Sequence, residues 1–312
     1  MDHRKFVIRP FAGLGNRLWA LDSCASLCKD IGVKKFTLVW EKGPEINCRF
    51  ADLFQRTDFI EVIETIPFCK FRFESYRNIY NILPPHDYRY PLFNALFGRE
   101  RRVQMKLYDG DMEEAIINNF DFRQLAGYES VYISTNRRFY QPAVFNTYLG
   151  PVAGLQEQID EVVSGFAPHT VGVHLRRGDH VYALEGSPIE AFIRVMESEI
   201  AVDAGTVFFL STDSGAEKRM LIERFGARII TRKSNLDRNS TEGAQDALID
   251  MFCLSKCNKV IGSIWSSFSD VAARIGNIPL LIPVSKRFKW ENYQNEGRFF
   301  KTLWFDYRIV DV

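Results

Sequence analysis

Two adjacent arginines, Arg176 and Arg177, are the part of this 312-residue sequence with the clearest capacity for chemistry. They follow the apolar run 171–175, which predicts a strand and includes His174, and they precede Asp179. Ligands of open α/β sheets bind beyond the carboxyl ends of the strands, and guanidinium groups match the geometry of phosphate oxygens. Several charge-assisted hydrogen bonds, each contributing about 1.5–3 kcal/mol, would hold a diphosphate there. The alternative interpretation is a surface turn with a structural Arg–Asp pair.

A second strand and a later helix add polar side chains to this pattern. The predicted strand 206–210 continues into Ser211, Thr212 and Asp213, whose hydroxyls and carboxylate suit a ribose or a base. Asp250 lies among apolar residues of a predicted helix. A buried carboxylate requires a hydrogen-bond donor, and the N1–H and amino group of guanine would supply one.

A serine-rich segment gives a further candidate site. After the predicted strand 259–262, the residues Ser266, Ser267 and Phe268 form a turn and open a helix. Helix N-termini with serine caps are favourable sites for anions. Each segment alone is also compatible with an ordinary turn or cap. Together, at the strand ends of one domain, these segments favour a site for a nucleotide diphosphate.

The elements that must position these residues alternate regularly between strand and helix. This alternation over residues 151–285 is typical of a doubly wound α/β domain. The predicted strands cover 170–175, 206–210, 228–230, 259–262 and 279–282. The predicted helices cover 155–163, 189–201, 217–225, 244–254 and 268–275.

Residues 1–150 predict another α/β domain. A strand at Lys5–Arg9, a helix from Asn16 and a strand at Lys35–Trp40 make a βαβ unit, which implies a parallel sheet. The less regular, aromatic-rich part that follows is interpreted either as core and loop packing or as an aromatic-walled groove for a sugar acceptor. The basic and aromatic tail, 286–312, is predicted to pack back on the first domain.

Composition excludes several classes of protein. Hydrophobic residues make up 46% of the chain and charged residues 25%, which is unlike disordered, collagen-like or disulfide-rich sequences. The formal net charge is +1, from 40 Lys and Arg against 39 Asp and Glu. Without a basic excess, nucleic-acid binding through overall phosphate neutralisation is not expected. Any anion must therefore be held by a local cluster.

The sequence also predicts a compartment. The N-terminal residues lack an uninterrupted apolar run with a cleavage site, and no segment has the roughly 18 apolar residues of a membrane span. The pairs Cys24/Cys28 and Cys253/Cys257 lack the tighter spacing of a zinc knuckle with a second pair nearby. We interpret them as buried free thiols in a reducing compartment. These features predict a cytoplasmic protein without a structural metal.

In their order along the chain, the motifs resemble those of the GDP-fucose-dependent fucosyltransferase superfamily, which includes α1,2-, α1,6- (nodulation type) and protein O-fucosyltransferases. The motifs that carry the resemblance are His174-x-Arg-Arg-x-Asp179, the strand end Ser-Thr-Asp213, the Asp250 helix and the turn at Ser266. Nearer the N-terminus, similar features are Gly13-Leu-Gly-Asn-Arg-Leu18, Trp40, Cys48 and residues 50–54. The resemblance covers residues 6–55 and 170–283.

This resemblance implies a GT-B fold, with two Rossmann-like domains facing across a cleft, and metal-independent, inverting transfer of fucose to a sugar hydroxyl of a glycan. It implies that Arg176 contacts the donor diphosphate and supports its departure, with Arg177 in a supporting, partly structural role. It further implies that His174 and Asp250 read guanine. The other implied donor-binding residues are Asn16, Arg17, Asp179, Thr212, Asp213, Ser266, Ser267 and Phe268.

An inverting transfer normally needs a base for the acceptor hydroxyl. Glu41, at the carboxyl end of the second strand, is the predicted base, and Asp22 is a weaker candidate. The alternative for Glu41 is a solvent-exposed loop glutamate. Two other functions remain open at this point: a transferase that uses a different nucleotide sugar, and a nucleotide-binding protein without transferase activity.

Overall fold

The computed structural model describes residues 4–43, 45–64, 103–178, 181–237, 239–289 and 306–312. The aromatic segment considered for the acceptor groove, 65–102, and the predicted donor-binding residue Asp179 lie outside the described residues. The chain divides into two compact units, Met1–Val144 and Phe145–Val312. The sequence predicts this boundary near residue 150.

The first unit is built on a parallel sheet whose described strands follow the order β3-β2-β1-β5-β4. Its strands are β1 Lys5–Pro10, β2 Phe36–Trp40, β3 Ile60–Glu64, β4 Met105–Leu107 and β5 Ser130–Thr135. Its helices are α1 Leu14–Asp30 and α2 Asp109–Ile117. The predicted βαβ unit is thereby confirmed, since β1 pairs in parallel with β2 across α1.

The second unit contains a parallel sheet with the strand order β11-β10-β9-β6-β7-β8. Its strands are β6 Thr170–Leu175, β7 Val207–Thr212, β8 Ile229–Ile230, β9 Lys259–Gly262, β10 Leu280–Ser285 and β11 Asp306–Val310. Its helices are α3 Ala153–Ser164, α4 Val181–Gly186, α5 Ile189–Val202, α6 Gly215–Phe225, α7 Thr241–Ser255 and α8 Ser267–Gly276.

The core of the second unit lies along β6, every residue of which is buried. Val171, Val173 and Leu175 pack in one cluster with Phe192 of α5 and Leu210 of β7. A strand that is buried on both faces and paired on both edges belongs in the interior of a parallel sheet. This packing fixes the carboxyl end of β6, where the arginine pair follows.

The two sheets confirm the predicted α/β class, and the tail requires a correction. Residues 306–310 form β11, which pairs in parallel with β10 from Leu281↔Asp306 to Ser285↔Val310. This part of the tail therefore belongs to the second sheet and not to the first domain, because the open edge of β10 offers backbone hydrogen bonds to a strand.

No helix in the described part of the chain is both long enough and apolar enough to cross a membrane.

Candidate active site

The strand register of the second unit brings the predicted segments to one edge of the sheet. His174, near the end of β6, lies opposite Ser211 of β7 and opposite Gly262 of β9. Parallel strands present their carboxyl ends at the same edge, so the loops after β6, β7 and β9 start side by side. The predicted convergence of the arginine, Ser-Thr-Asp and serine-rich segments is confirmed.

Backbone hydrogen bonds hold the loop that carries the arginines. The N–H of Arg176 donates to Ser263 Oγ at 2.9 Å. The next two N–H groups, of Arg177 and Gly178, donate to the carboxylate oxygens of Asp213 at 2.7 and 3.1 Å. The loop is therefore fixed by side chains that follow β7 and β9.

The side chain of Arg176 remains accessible at this edge. It is 25% exposed, and its Nε lies 3.9 Å from Oδ2 of Asp213. An arginine placed beyond a strand end in this way can present a planar set of donors to an anion. This geometry suits the predicted contact with a diphosphate.

The side chain of Arg177 is directed into the protein and is only 5% exposed. Its Nε donates to Glu217 of α6 at 2.7 Å, its Nη1 donates to the carbonyl oxygen of Ser187 at 2.9 Å, and the guanidinium lies 5.6 Å from the ring of Phe192. Arg177 thus joins α6 to the turn before α5. These internal contacts agree with the structural part of the role predicted for Arg177, while its binding of the donor stays a prediction.

His174 is buried against the start of α8. Its Nδ1 shares a hydrogen bond with Ser269 Oγ at 2.8 Å and lies 3.4 Å from Ser266 Oγ. Its ring stacks on Phe268 with the centroids 4.5 Å apart and the planes 22° apart. Ser266 also caps α8 by accepting the N–H of Ser269. His174 and the serine-rich turn therefore form one hydrogen-bonded cluster, whose half-buried member Ser267 opens the helix.

Gly262 allows α8 to approach β9, and its substitution gives a first testable prediction. A Cβ added at Gly262 would lie 2.5 Å from Cβ and Oγ of Ser269, closer than real contacts allow. We expect Gly262→Ala to displace Ser269 from His174, to destabilise the protein by about 1–3 kcal/mol and to weaken anion binding at this edge. Urea unfolding and nucleotide titration measure both effects.

Gly154→Ala is the matched control for this prediction. A Cβ at Gly154 meets nothing within 4 Å, and the residue lies in the first turn of α3. We expect this variant to be neutral or slightly stabilising, since alanine suits a helix better than glycine by about 0.5–1 kcal/mol. Equal losses in both variants would contradict a specific role for the contact with Ser269.

Asp250 receives its hydrogen bonds from the protein. Ser211 Oγ donates to its Oδ2 at 2.9 Å, while Arg232 Nη1 and Ser234 Oγ lie 3.3 and 3.4 Å from its Oδ1. Arg232 is in turn held by Asp246 at 2.6 Å. Burial raises the pKa of Asp250, and the nearby charge of Arg232 opposes that shift. The protein itself therefore supplies the donors that this buried carboxylate requires. Because a carboxylate accepts about four hydrogen bonds, the predicted contact of Asp250 with guanine stays a prediction.

The predicted residues of the first unit are largely occupied by structural contacts. Arg17 donates to the carbonyl oxygens of Ala12 and Glu41 at 2.8 and 2.6 Å, and its guanidinium lies 4.9 Å from the centre of the Trp40 ring. Burial lowers the pKa of Arg17 to about 10. Asn16 Nδ2 donates to the carbonyl oxygen of Asn136 at 3.3 Å.

Glu41 is neither exposed nor a solitary carboxylate. Its Oε2 accepts two hydrogen bonds from Arg9, at 2.6 and 3.0 Å, and both side chains are nearly buried. Taking a proton from a substrate would compete with this ion pair, so the geometry does not favour Glu41 as the base. Asp22 is also buried and accepts the N–H of Val144 at 3.0 Å.

Sequence reasoning missed several residues that organise the second unit's edge. They are Ser187, Ser263, Ser269, Glu217, Arg232 and Asp246. The sequence could have indicated Asp246, because Asp246 and Asp250 are four residues apart and must share one face of α7. Two carboxylates on one helix face indicate a nearby cation, which is Arg232.

The two α/β units, each with a parallel sheet, have the architecture of the GT-B fold. No family model and no curated protein matches the sequence. Among solved structures, the chain is similar to NodZ α-1,6-fucosyltransferase soaked with GDP-fucose, with a TM-score of 0.59 and 18% identity over 89% of this chain and 94% of that one.

Two further structures share this fold. Fucosyltransferase NodZ from Bradyrhizobium matches with a TM-score of 0.56 and 18% identity over 89% of this chain and 94% of that one. A mutant of FUT1 from Arabidopsis thaliana in complex with GDP matches with a TM-score of 0.55 and 15% identity over 89% of this chain and 70% of that one. The chain therefore has the fold of these fucosyltransferases.

Proposed function

We propose that the protein is an inverting fucosyltransferase that transfers fucose from GDP-fucose to a sugar hydroxyl of a glycan. The observation that carries the proposal is Arg176, which is accessible at the strand edge where His174 and the N-terminus of α8 also converge. The shared fold with NodZ, whose structures are described with GDP or GDP-fucose, supports the choice of donor.

The chemical roles follow from the geometry of the second unit. Cleavage of the bond between the sugar and the diphosphate leaves negative charge on the departing phosphate. The guanidinium of Arg176 and the N-terminus of α8, capped by Ser266, would stabilise that charge in the transition state. The stacked rings of His174 and Phe268 would form one wall for the nucleotide. Cationic and dipolar groups of this kind also support the proposal that transfer needs no metal ion.

Cysteine burial supports the proposal of a reducing compartment such as the cytoplasm. Five of the six cysteines lie in the described part of the chain, and all five are free and buried. Burial raises the pKa of Cys253 to about 12, which keeps this thiol protonated. Such thiols are unreactive.

Thermal unfolding with GDP, UDP, ADP or no nucleotide, all in EDTA, tests the donor proposal. A ligand at about 100 times its dissociation constant stabilises the folded state by about 2.7 kcal/mol. Stabilisation by GDP in preference to the others is the expected result. A preference for UDP would replace the donor, and no shift with any nucleotide would contradict the proposed function. Acceptor-dependent release of GDP from GDP-fucose then separates a transferase from a nucleotide-binding protein without activity.

The role of Asp250 as a reader of guanine stays a proposal with its own test. Asp250→Asn is expected to weaken GDP binding by about tenfold, as for the loss of one hydrogen bond to a charged group, and to leave UDP binding unchanged. Isothermal titration with both nucleotides measures this selectivity. Equal losses for GDP and UDP would contradict the assignment.

The pH dependence of GDP binding gives a second measurement on the same residue. The pKa of Asp250 is raised above its usual value of 3.8, so acidification should protonate the carboxylate and weaken GDP binding at a higher pH than an ordinary aspartate would. Asp250→Asn should remove this acid limb. Protein stability should respond to pH in the opposite direction to GDP binding. Because the folded state binds the proton of Asp250 more tightly than the unfolded state, the contribution of Asp250 to the free energy of unfolding decreases as the pH rises through the raised pKa.

A further inference from the structure

Asp213, which the resemblance places beside the nucleoside, contacts the loop that carries the two arginines. In the structure, its Oδ1 accepts the N–H of Arg177 at 2.7 Å and its Oδ2 accepts the N–H of Gly178 at 3.1 Å. Both carboxylate oxygens therefore face the backbone of the loop 176–178.

The two N–H groups that Asp213 engages are consecutive. Successive backbone N–H groups in a turn form a concave site for an anion, and here an aspartate of the same chain fills it. The negative charge of Asp213 is balanced by these donors, and Nε of Arg176 lies 3.9 Å from Oδ2. One carboxylate thus connects the backbone of the loop with the side chain of its exposed arginine.

The neighbours of Asp213 fix its own position. Thr212 Oγ1 accepts the N–H of Ser214 at 3.1 Å, and Ser214 caps α6 by accepting the N–H of Glu217. On the other side, a Cβ at Gly178 would lie 3.2 Å from Oδ2 of Asp213, so the glycine permits this close approach. Asp213 is therefore held by the turn between β7 and α6 while it holds the loop after β6.

We propose that Asp213 is a positioning residue that fixes the loop 176–178 and orients Arg176, rather than a residue that binds the nucleoside. The inference rests on the proposed function only in taking GDP as the ligand of Arg176. Its consequence is that the effect of Asp213 on GDP affinity passes through Arg176.

A double-mutant cycle on GDP affinity tests this consequence. Asp213→Asn keeps one acceptor oxygen but loses the carboxylate. We expect it and Arg176→Ala each to weaken GDP binding by about tenfold, the effect of losing one charge-assisted hydrogen bond. The double variant should be little weaker than Arg176→Ala alone, because coupled residues are not additive. Losses that multiply in the double variant would overturn the inference and return Asp213 to the nucleoside.

Asp203→Asn is a matched control, because Asp203 also accepts the N–H of a turn glycine, Gly205, at 2.7 Å but follows α5 rather than a strand end. This variant should bind GDP like the wild type. If Asp213→Asn fails to fold, Gly178→Ala replaces it in the cycle, since a Cβ there presses on Oδ2. The same non-additivity with Arg176→Ala is expected.

Amide hydrogen exchange tests the positioning role without any nucleotide. The N–H groups of Arg177 and Gly178 should exchange faster in Asp213→Asn than in the wild type, with the core amides of β6 unchanged. Unchanged exchange at both residues would overturn the inference. Failure of the wild type to bind GDP would instead contradict the proposed function, and the exchange result would still decide the role of Asp213.

Discussion

Arg176→Ala is expected to reduce fucose transfer by about 10²–10³-fold while leaving the unfolding temperature unchanged. The size of the loss is that of one preorganised group removed from developing transition-state charge. Stability should be retained because the side chain is partly exposed and its Nε lies as far as 3.9 Å from Oδ2 of Asp213. Initial rates with GDP-fucose and thermal unfolding of the same preparation provide the two measurements.

Arg176→Lys sharpens this test. Lysine keeps the charge but loses the planar set of donors, so it should recover part of the activity and not all of it. If Arg176→Ala turned over GDP-fucose at the wild-type rate, the role of this side chain in the departure of the phosphate would be refuted.

Arg177→Ala is expected to show the opposite pattern, with a large loss of stability. Removing one partner of a buried ion pair costs about 3–5 kcal/mol, and here Glu217 and the carbonyl oxygen of Ser187 would both lose their donor. The packing of the guanidinium on Phe192 would also be lost. Urea unfolding measures the free energy.

Glu217→Gln provides the comparison for this second prediction. Combined with Arg177→Ala, it removes the uncompensated carboxylate, so the double variant should be more stable than Arg177→Ala alone. An Arg177→Ala protein as stable as the wild type would show that the buried network contributes little. The two adjacent arginines would then differ in exposure but not in role.

Most of the second unit could be predicted because its elements are local and regular. The sequence predicts the strands 170–175 and 259–262 with the bounds that the structure has, since each is a short segment centred on β-branched residues. Convergence of the loops also followed from the sequence, because parallel strands end at one edge. The position of β11 did not follow, since its pairing with β10 depends on an open sheet edge rather than on any pattern within residues 306–310.

The partners of individual site residues were harder to predict than the site itself. Whether Arg177 points inward or outward depends on the backbone beyond the strand end, where the alternation of a strand no longer applies. The pairing of Glu41 with Arg9 is set by the parallel register of β2 and β1, which brings residues 32 positions apart to the same edge. The partner of Asp250 could not be predicted from its own helix, because Arg232 lies in the segment after β8 and reaches Asp250 only in the folded structure.

The pairing of β11 with β10 has a consequence for synthesis on the ribosome. The sheet of the second unit is completed only when residues 306–310 have emerged, and Val310 is buried in the same cluster as Val171. Until then the edge of β10 exposes unpaired backbone groups, which are a template for association between chains. We therefore expect the nascent second unit to be most prone to association between chains in the interval between the emergence of β10 and that of β11.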